Sequence, residues 1–134
     1  MPRYYLALAL FCVLSTPAFA LACKTAVDQT SLNQCADQDF RATDAELNAV
    51  YGQVTGRLSD APDAKGLLTT AQRSWIAFRD AECAFRSSGS EGGSMHPMVV
   101  LGCRTELSRK RIGELKAYLS CKPEDGDCPT APAN

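Results

Sequence analysis

The sequence predicts an all-α fold, a small disulfide-stabilised antiparallel bundle of about three main helices. Three observations carry this. Apolar side chains recur at steps of three and four along three long segments. Breaks rich in Pro, Gly and Ser separate those segments. Six of the seven cysteines lie beyond an N-terminal export signal, an even set suited to bridging.

The signal comes first in the chain. Arg3 precedes an apolar run from Leu6 to Ser15, and the small residues around Ala18, Ala20 and Ala22 follow. This is the pattern of a secretory signal peptide over residues 1–22, cleaved after Ala20 or Ala22. The run is about half of the roughly 20 residues a membrane span needs. Lipidation of Cys23 is the rival reading, but Ala20 stands where a lipobox takes a large aliphatic residue. The mature chain is therefore expected in the periplasm or outside the cell, as a helical domain over 23–120 with a flexible, disulfide-containing tail over 121–134.

Export sets the cysteine chemistry. Cys12 leaves with the signal, and Cys23, Cys35, Cys83, Cys103, Cys121 and Cys128 remain in an oxidising compartment that favours up to three bridges. No Cys-x-x-Cys spacing and a single His argue against a zinc site, and no metal or other cofactor is expected. Of the 14 basic side chains Arg3 goes with the signal, which leaves 13 against 15 acids, the wrong balance for a nucleic-acid binder.

The first helix is expected from about Ser31 to Leu58, with Leu32, Phe40, Leu47, Tyr51, Val54 and Leu58 along one face. Pro62 ends it, since the residue before a proline avoids helical geometry, and Asp63 is placed to cap the next helix. In that second helix Leu68, Ala71, Trp75, Phe78, Glu82 and Phe85 alternate steps of three and four. Glu82 is a carboxylate on an otherwise apolar stripe and needs a partner if buried. The segment from Ser87 to Ser94 cannot sustain a helix and reads as a mobile loop. A third helix follows from near Ser94 to about Leu119, with Pro97 tolerated in its first turn. Val100, Cys103, Leu107, Arg111 and Tyr118 form one seam, with Leu101, Ile112, Leu115 and Leu119 beside it. Arg111 is the natural partner of Glu82 in a structural ion pair that specifies the fold.

Antiparallel packing of the second and third helices would bring Cys83 to Cys103, which makes this the first-ranked bridge. Cys23 with Cys35 and Cys121 with Cys128 complete that arrangement, while crossed pairings such as Cys35 with Cys83 stay open.

Four stretches resemble a known family, the secreted lysozyme-inhibitor LprI-like proteins. They are Cys35 with Asp44, Asn48 and Tyr51; the run Ala71, Gln72, Arg73, Trp75, Phe78, Arg79, Asp80, Glu82 and Cys83; Gly92, Gly93 and Ser94; and Cys103 through Arg111 to Leu115. The second run is the specific one. The Cys121 to Cys128 extension lies outside the resemblance. The resemblance implies an all-helical envelope protein that inhibits lysozyme, and hence a lysozyme or other peptidoglycan hydrolase as partner.

A lysozyme cleft holds two carboxylates, so a blocking loop should offer hydrogen-bond donors or a cation. The loop with Ser90, Glu91, Ser94 and His96 fits, and its glycines permit close backbone approach; the favoured alternative is an ordinary helix–helix connection, with Ser94 as a cap and His96 as a solvated first-turn residue. The strongly basic lysozymes that such inhibitors meet suggest a role for the acidic stretch Asp37 to Glu46. The basic stretch Arg104 to Lys116 is equally able to neutralise it within the bundle, and this is the favoured reading. An enzyme is not expected. The cysteines are committed to bridges, one His is the only candidate base of its type, and Asp80 and Glu82 point to different helix faces. The alternative to an inhibitor is a non-enzymatic structural or assembly partner in the envelope, docking through Arg104, Arg109, Lys110 and Lys116.

Overall fold

The computed structural model describes residues 23–130; the expected signal peptide lies outside them. Among the described residues there are three long helices and no strands: α1 (Gln29–Arg57), α2 (Pro62–Ser87) and α3 (His96–Ser120), with 3-10 turns at Ser88–Ser90 and Pro123–Asp125.

Local chemistry sets the ends. Asp28 caps α1, its carboxylate accepting from the Ser31 amide at 2.9 Å and the Ser31 hydroxyl at 2.6 Å. Pro62 opens α2 in the first turn, where its missing N–H costs nothing, and Asp63 sits in that turn rather than capping it. Pro97 likewise falls in the first turn of α3.

The ion pairs give the topology. Arg109 meets Asp39 at 2.6 Å and Lys116 meets Glu46 at 2.6 Å, so numbers rise together and α1 runs parallel to α3. Between α2 and α3, Cys83 is bonded to Cys103, Arg79 lies at Ser108 and Gln72 at Arg111; numbers fall on one helix as they rise on the other, so α2 is antiparallel. This is an up-down-up bundle. The acidic and basic stretches therefore face one another across α1 and α3.

A heptad-like seam joins those two parallel helices. Leu47, Val50 and Val54 of α1 and the Leu58 that caps its C-terminus meet Ile112 and Leu115 of α3 in the core, with Trp75, Leu68 and Tyr118 packed alongside. Toward the other end the same stripes turn small and polar, with Thr43, Thr105 and Ser108 buried. This is where the Arg79 side chain enters, and its guanidinium needs both the space and the hydroxyl.

On α2 the buried face differs from the expected one. Gln72, Arg79, Cys83 and Ser87 are buried, whereas Phe78 and Phe85 are exposed. The helix is turned by about one residue, because Cys83 must face Cys103. The expected Glu82–Arg111 pair is absent because of register: Gln72 lies beside Arg111, while Glu82, next to the bridged Cys83, lies level with Cys103. Arg111 instead donates from Nε to Gln72 Oε1 at 3.0 Å and from Nη1 to Glu114 at 2.7 Å.

Three disulfides frame the bundle: Cys23–Cys35, Cys83–Cys103 and Cys121–Cys128. The last lies in the tail, which folds back on α3 as the Thr130 hydroxyl donates to the Tyr118 carbonyl.

Two carboxylates make stability fall in acid. The hydrogen bonds from Ser31 hold Asp28 below its ordinary 3.8, and those from Lys110 and Arg86 hold Glu106 below its ordinary 4.5. A folded-state pKa below the unfolded one means the contribution is complete above the ordinary value and drains away as pH falls through the lowered one. Melting temperature should therefore decline as the pH is taken from about 5 toward about 2. Asp28→Asn, which caps without titrating, should keep neutral-pH stability and make that decline shallower.

Candidate functional site

The loop between α2 and α3 lies at the end of the bundle opposite the apolar core, and hydrogen bonds fold it down. The Asn33 amide of α1 donates to the Ser94 carbonyl at 2.9 Å. Within the loop the amides of Glu91, Gly93 and His96 donate to the carbonyls of Ser88, Ser90 and Gly93. Gly92 turns the chain at φ 75°, a left-handed conformation that favours glycine. Just beneath, Cys83–Cys103 ties the end of α2 to α3.

The four loop residues singled out from the sequence are gathered here. Glu91 and Ser94 are exposed, and Ser90 and His96 are half-buried. The Ser90 hydroxyl donates to the Ser87 carbonyl at 2.7 Å, so its oxygen accepts from His96 Nδ1 at 3.0 Å. That assigns a proton to Nδ1 and leaves Nε2 for an outside partner, as acceptor when the ring is neutral and donor when it is charged. Among the described residues, the Ser94 and Met95 amides have no acceptor within the chain.

Beside the loop is a cleft of about 360 Å³ lined by Ser87, Ser88, Glu91, His96, Val100 and Arg104. Arg104 was not predicted here. Its Nε lies 3.3 Å from Asp80 Oδ1 but is not aligned for a hydrogen bond with it. The spacing held the signal, because Arg104 follows Cys103 and lies eight residues, or just over two turns, after His96.

Arg79 is the other residue that sequence reasoning missed. It is 6% exposed and is held by Asp80, Asp44 and Ser108 between the rings of Phe40 and Trp75. Its role is to lock the three helices beneath the site. No helix among the described residues is long and apolar enough to cross a membrane, and no group of His, Cys, Asp or Glu among them is arranged to hold a metal.

Fold and loop together define a small disulfide-framed helical module that presents a pinned Gly/Ser loop. The sequence matches the profile of the family described as Lysozyme inhibitor LprI over residues 22–115, and the chain belongs to that family. An uncharacterized protein of Rhizobium meliloti (strain 1021) is 46% identical over 108 residues, covering 72% of this chain and 78% of that protein. The uncharacterized protein YecT of Escherichia coli (strain K12) is 32% identical over 72 residues, covering 45% of this chain and 44% of YecT. No solved structure matches the chain.

Proposed function

We propose that this protein is an exported, non-enzymatic inhibitor that binds a lysozyme or a related peptidoglycan hydrolase in the periplasm or outside the cell, after removal of residues 1–22. Its membership of the Lysozyme inhibitor LprI family carries this reading. The loop geometry supports it. A cleft with two carboxylates is met by the Ser94 hydroxyl and the free Ser94 and Met95 amides, with His96 Nε2 as a further donor in the charged form of the ring. Because the loop is already tied to α1 and stapled from below, little conformational entropy is lost when it engages.

The rival reading, an envelope structural or assembly partner, would use Arg104, Arg109, Lys110 and Lys116. Those four lie against Asp80, Asp39, Glu106 and Glu46 respectively, so that face has little net charge to offer anionic envelope components. Inhibitor binding is the better supported of the two.

A lysis assay with the oxidised mature protein tests the proposal against lysozymes of several types. Inhibition in the nanomolar to low-micromolar range is expected, weakened about tenfold or more, or by roughly 1.4 kcal/mol, by Ser94→Ala with His96→Ala. Absence of inhibition toward every lysozyme would overturn the proposal.

A further inference from the structure

We propose that the outer face of α2, centred on Phe78 and Phe85, is the surface on which a strongly basic partner protein docks. This rests on the inhibitor reading above, lysozymes being basic, and extends the contact from the loop onto the helix beside it.

The large apolar side chains of this face are exposed, with the small polar Thr70 and Ser74 between Leu67 and Phe78. Leu67 is 74% exposed, Phe78 54% and Phe85 76%. Leu67 and Phe85 are five whole helical turns apart, and Phe78 lies within about 20° of the line joining them, so the three form a straight stripe about 27 Å long. Single exposed apolar side chains are ordinary on a protein surface; two phenylalanines and a leucine aligned on one helix are not. The Cys83–Cys103 bond and the buried Arg79 turn the polar-lined face of α2 inward, which leaves its most apolar face outside. Nothing in the packing of the bundle requires aromatic rings there.

Charge selects the partner. Asp63 and Glu82 lie on this face of α2 and Glu91 lies in the loop just beyond Phe85. None of the three is ion-paired among the described residues, whereas Asp39, Asp44 and Glu46 are spent on Arg109, Arg79 and Lys116. The basic residues of α2, Lys65, Arg73, Arg79 and Arg86, project at least about 80° away from the stripe, and Arg86 is paired with Glu106. An aromatic stripe bordered only by free carboxylates fits a surface with an apolar patch among lysines and arginines. The rings would supply the central contacts and the carboxylates the steering. Phe85 and Glu91 also adjoin the loop, so the helix face and the loop form one continuous surface.

The test uses the oxidised mature protein with egg-white lysozyme as the basic probe, alongside lysozymes of other types. Phe78→Ser with Phe85→Ser should weaken inhibition at least about thirtyfold. Its melting temperature should be unchanged, since both sites are exposed and Ser and Phe have similar helix propensity. Glu82→Gln with Glu91→Gln should slow association several-fold and flatten its dependence on salt. Undiminished inhibition by the serine variant overturns this surface and leaves the inhibitor reading standing. A wild-type dimer that the serine substitutions split into monomers also overturns it, since the stripe would then bind a second copy of the chain. Wild-type protein that inhibits no lysozyme overturns the inhibitor reading and the proposed partner with it.

Discussion

Replacing Arg79 with Ala is expected to lower the unfolding free energy by about 3 kcal/mol, the lower end of what breaking a buried ion pair costs. The side chain touches all three helices. Its Nη1 donates to Asp44 of α1 at 3.2 Å and Ser108 of α3 at 3.3 Å, and its Nε to Asp80 of α2 at 3.0 Å. The guanidinium also lies 5.4 Å from the ring centres of Phe40 and Trp75. Truncation strips Ser108 and two carboxylates of a donor and opens a gap between two aromatic rings. Asp44 and Asp80 are partly exposed and regain water, which keeps the loss at the lower end. Arg79→Lys should recover less than half of it, because an ammonium cannot serve three acceptors in a plane and stack between rings. Arg73→Ala, at an exposed position of the same helix, should change stability by less than about 0.5 kcal/mol. Urea unfolding of the three variants gives the comparison directly. Equal stability of the Ala and parent proteins would show that the guanidinium contributes no net stability.

Removing the central bridge by Cys83→Ser with Cys103→Ser should cost a similar amount. Closing a loop over a sequence separation of 20 residues contributes on the order of 3 kcal/mol through the unfolded chain. For a domain of this size that lowers the melting temperature by on the order of 15 °C. There is also a native-state consequence. The bond fixes the rotation of α2, and its loss frees the helix to turn Phe78 and Phe85 inward. The lysozyme inhibition proposed above should therefore be weaker in the variant than its residual folded fraction predicts, measured well below its melting temperature with the other two bridges intact. Binding that simply tracked the folded fraction would mean that Arg79 alone holds the rotation.

That rotation is also where sequence and structure part. The inner stripes of α1 and α3 are legible because their apolar residues keep regular steps: Leu47, Val54 and Leu58 on one, Ile112, Leu115 and Leu119 on the other. In α2 two stripes compete. The more apolar one passes through Phe78 and Phe85, and ranking by hydrophobicity selects it. The buried one passes through Gln72, Arg79 and Cys83, and only the pairing of Cys83 with Cys103 identifies it. The position of a bridged cysteine is a stronger guide to a helix's inner face than the sum of its apolar side chains. The Glu82–Arg111 pairing failed on register: the bridge that sets Cys83 beside Cys103 leaves Glu82 about two turns from Arg111. The loop was legible because Gly and Ser have few alternatives there. Arg104 was not, since its place in the cleft depends on how α3 sits against α2.

The disulfide connectivity has a consequence for biogenesis. Among the described residues the cysteines are joined in consecutive pairs: 23 to 35, 83 to 103, 121 to 128. When a polypeptide is threaded N-terminus first through a pore into an oxidising space, thiols arrive one at a time, and the nearest available partner for each newcomer is its predecessor. Oxidation in order of arrival thus yields the native set without reshuffling. The seam between α1 and α3 closes last, because α1 must wait for a partner whose matching residues are about 70 positions behind it. For the exported chain proposed above, the thiols ahead of the tail would by then be joined, and the final packing would proceed on a chain whose covalent errors had been avoided rather than repaired.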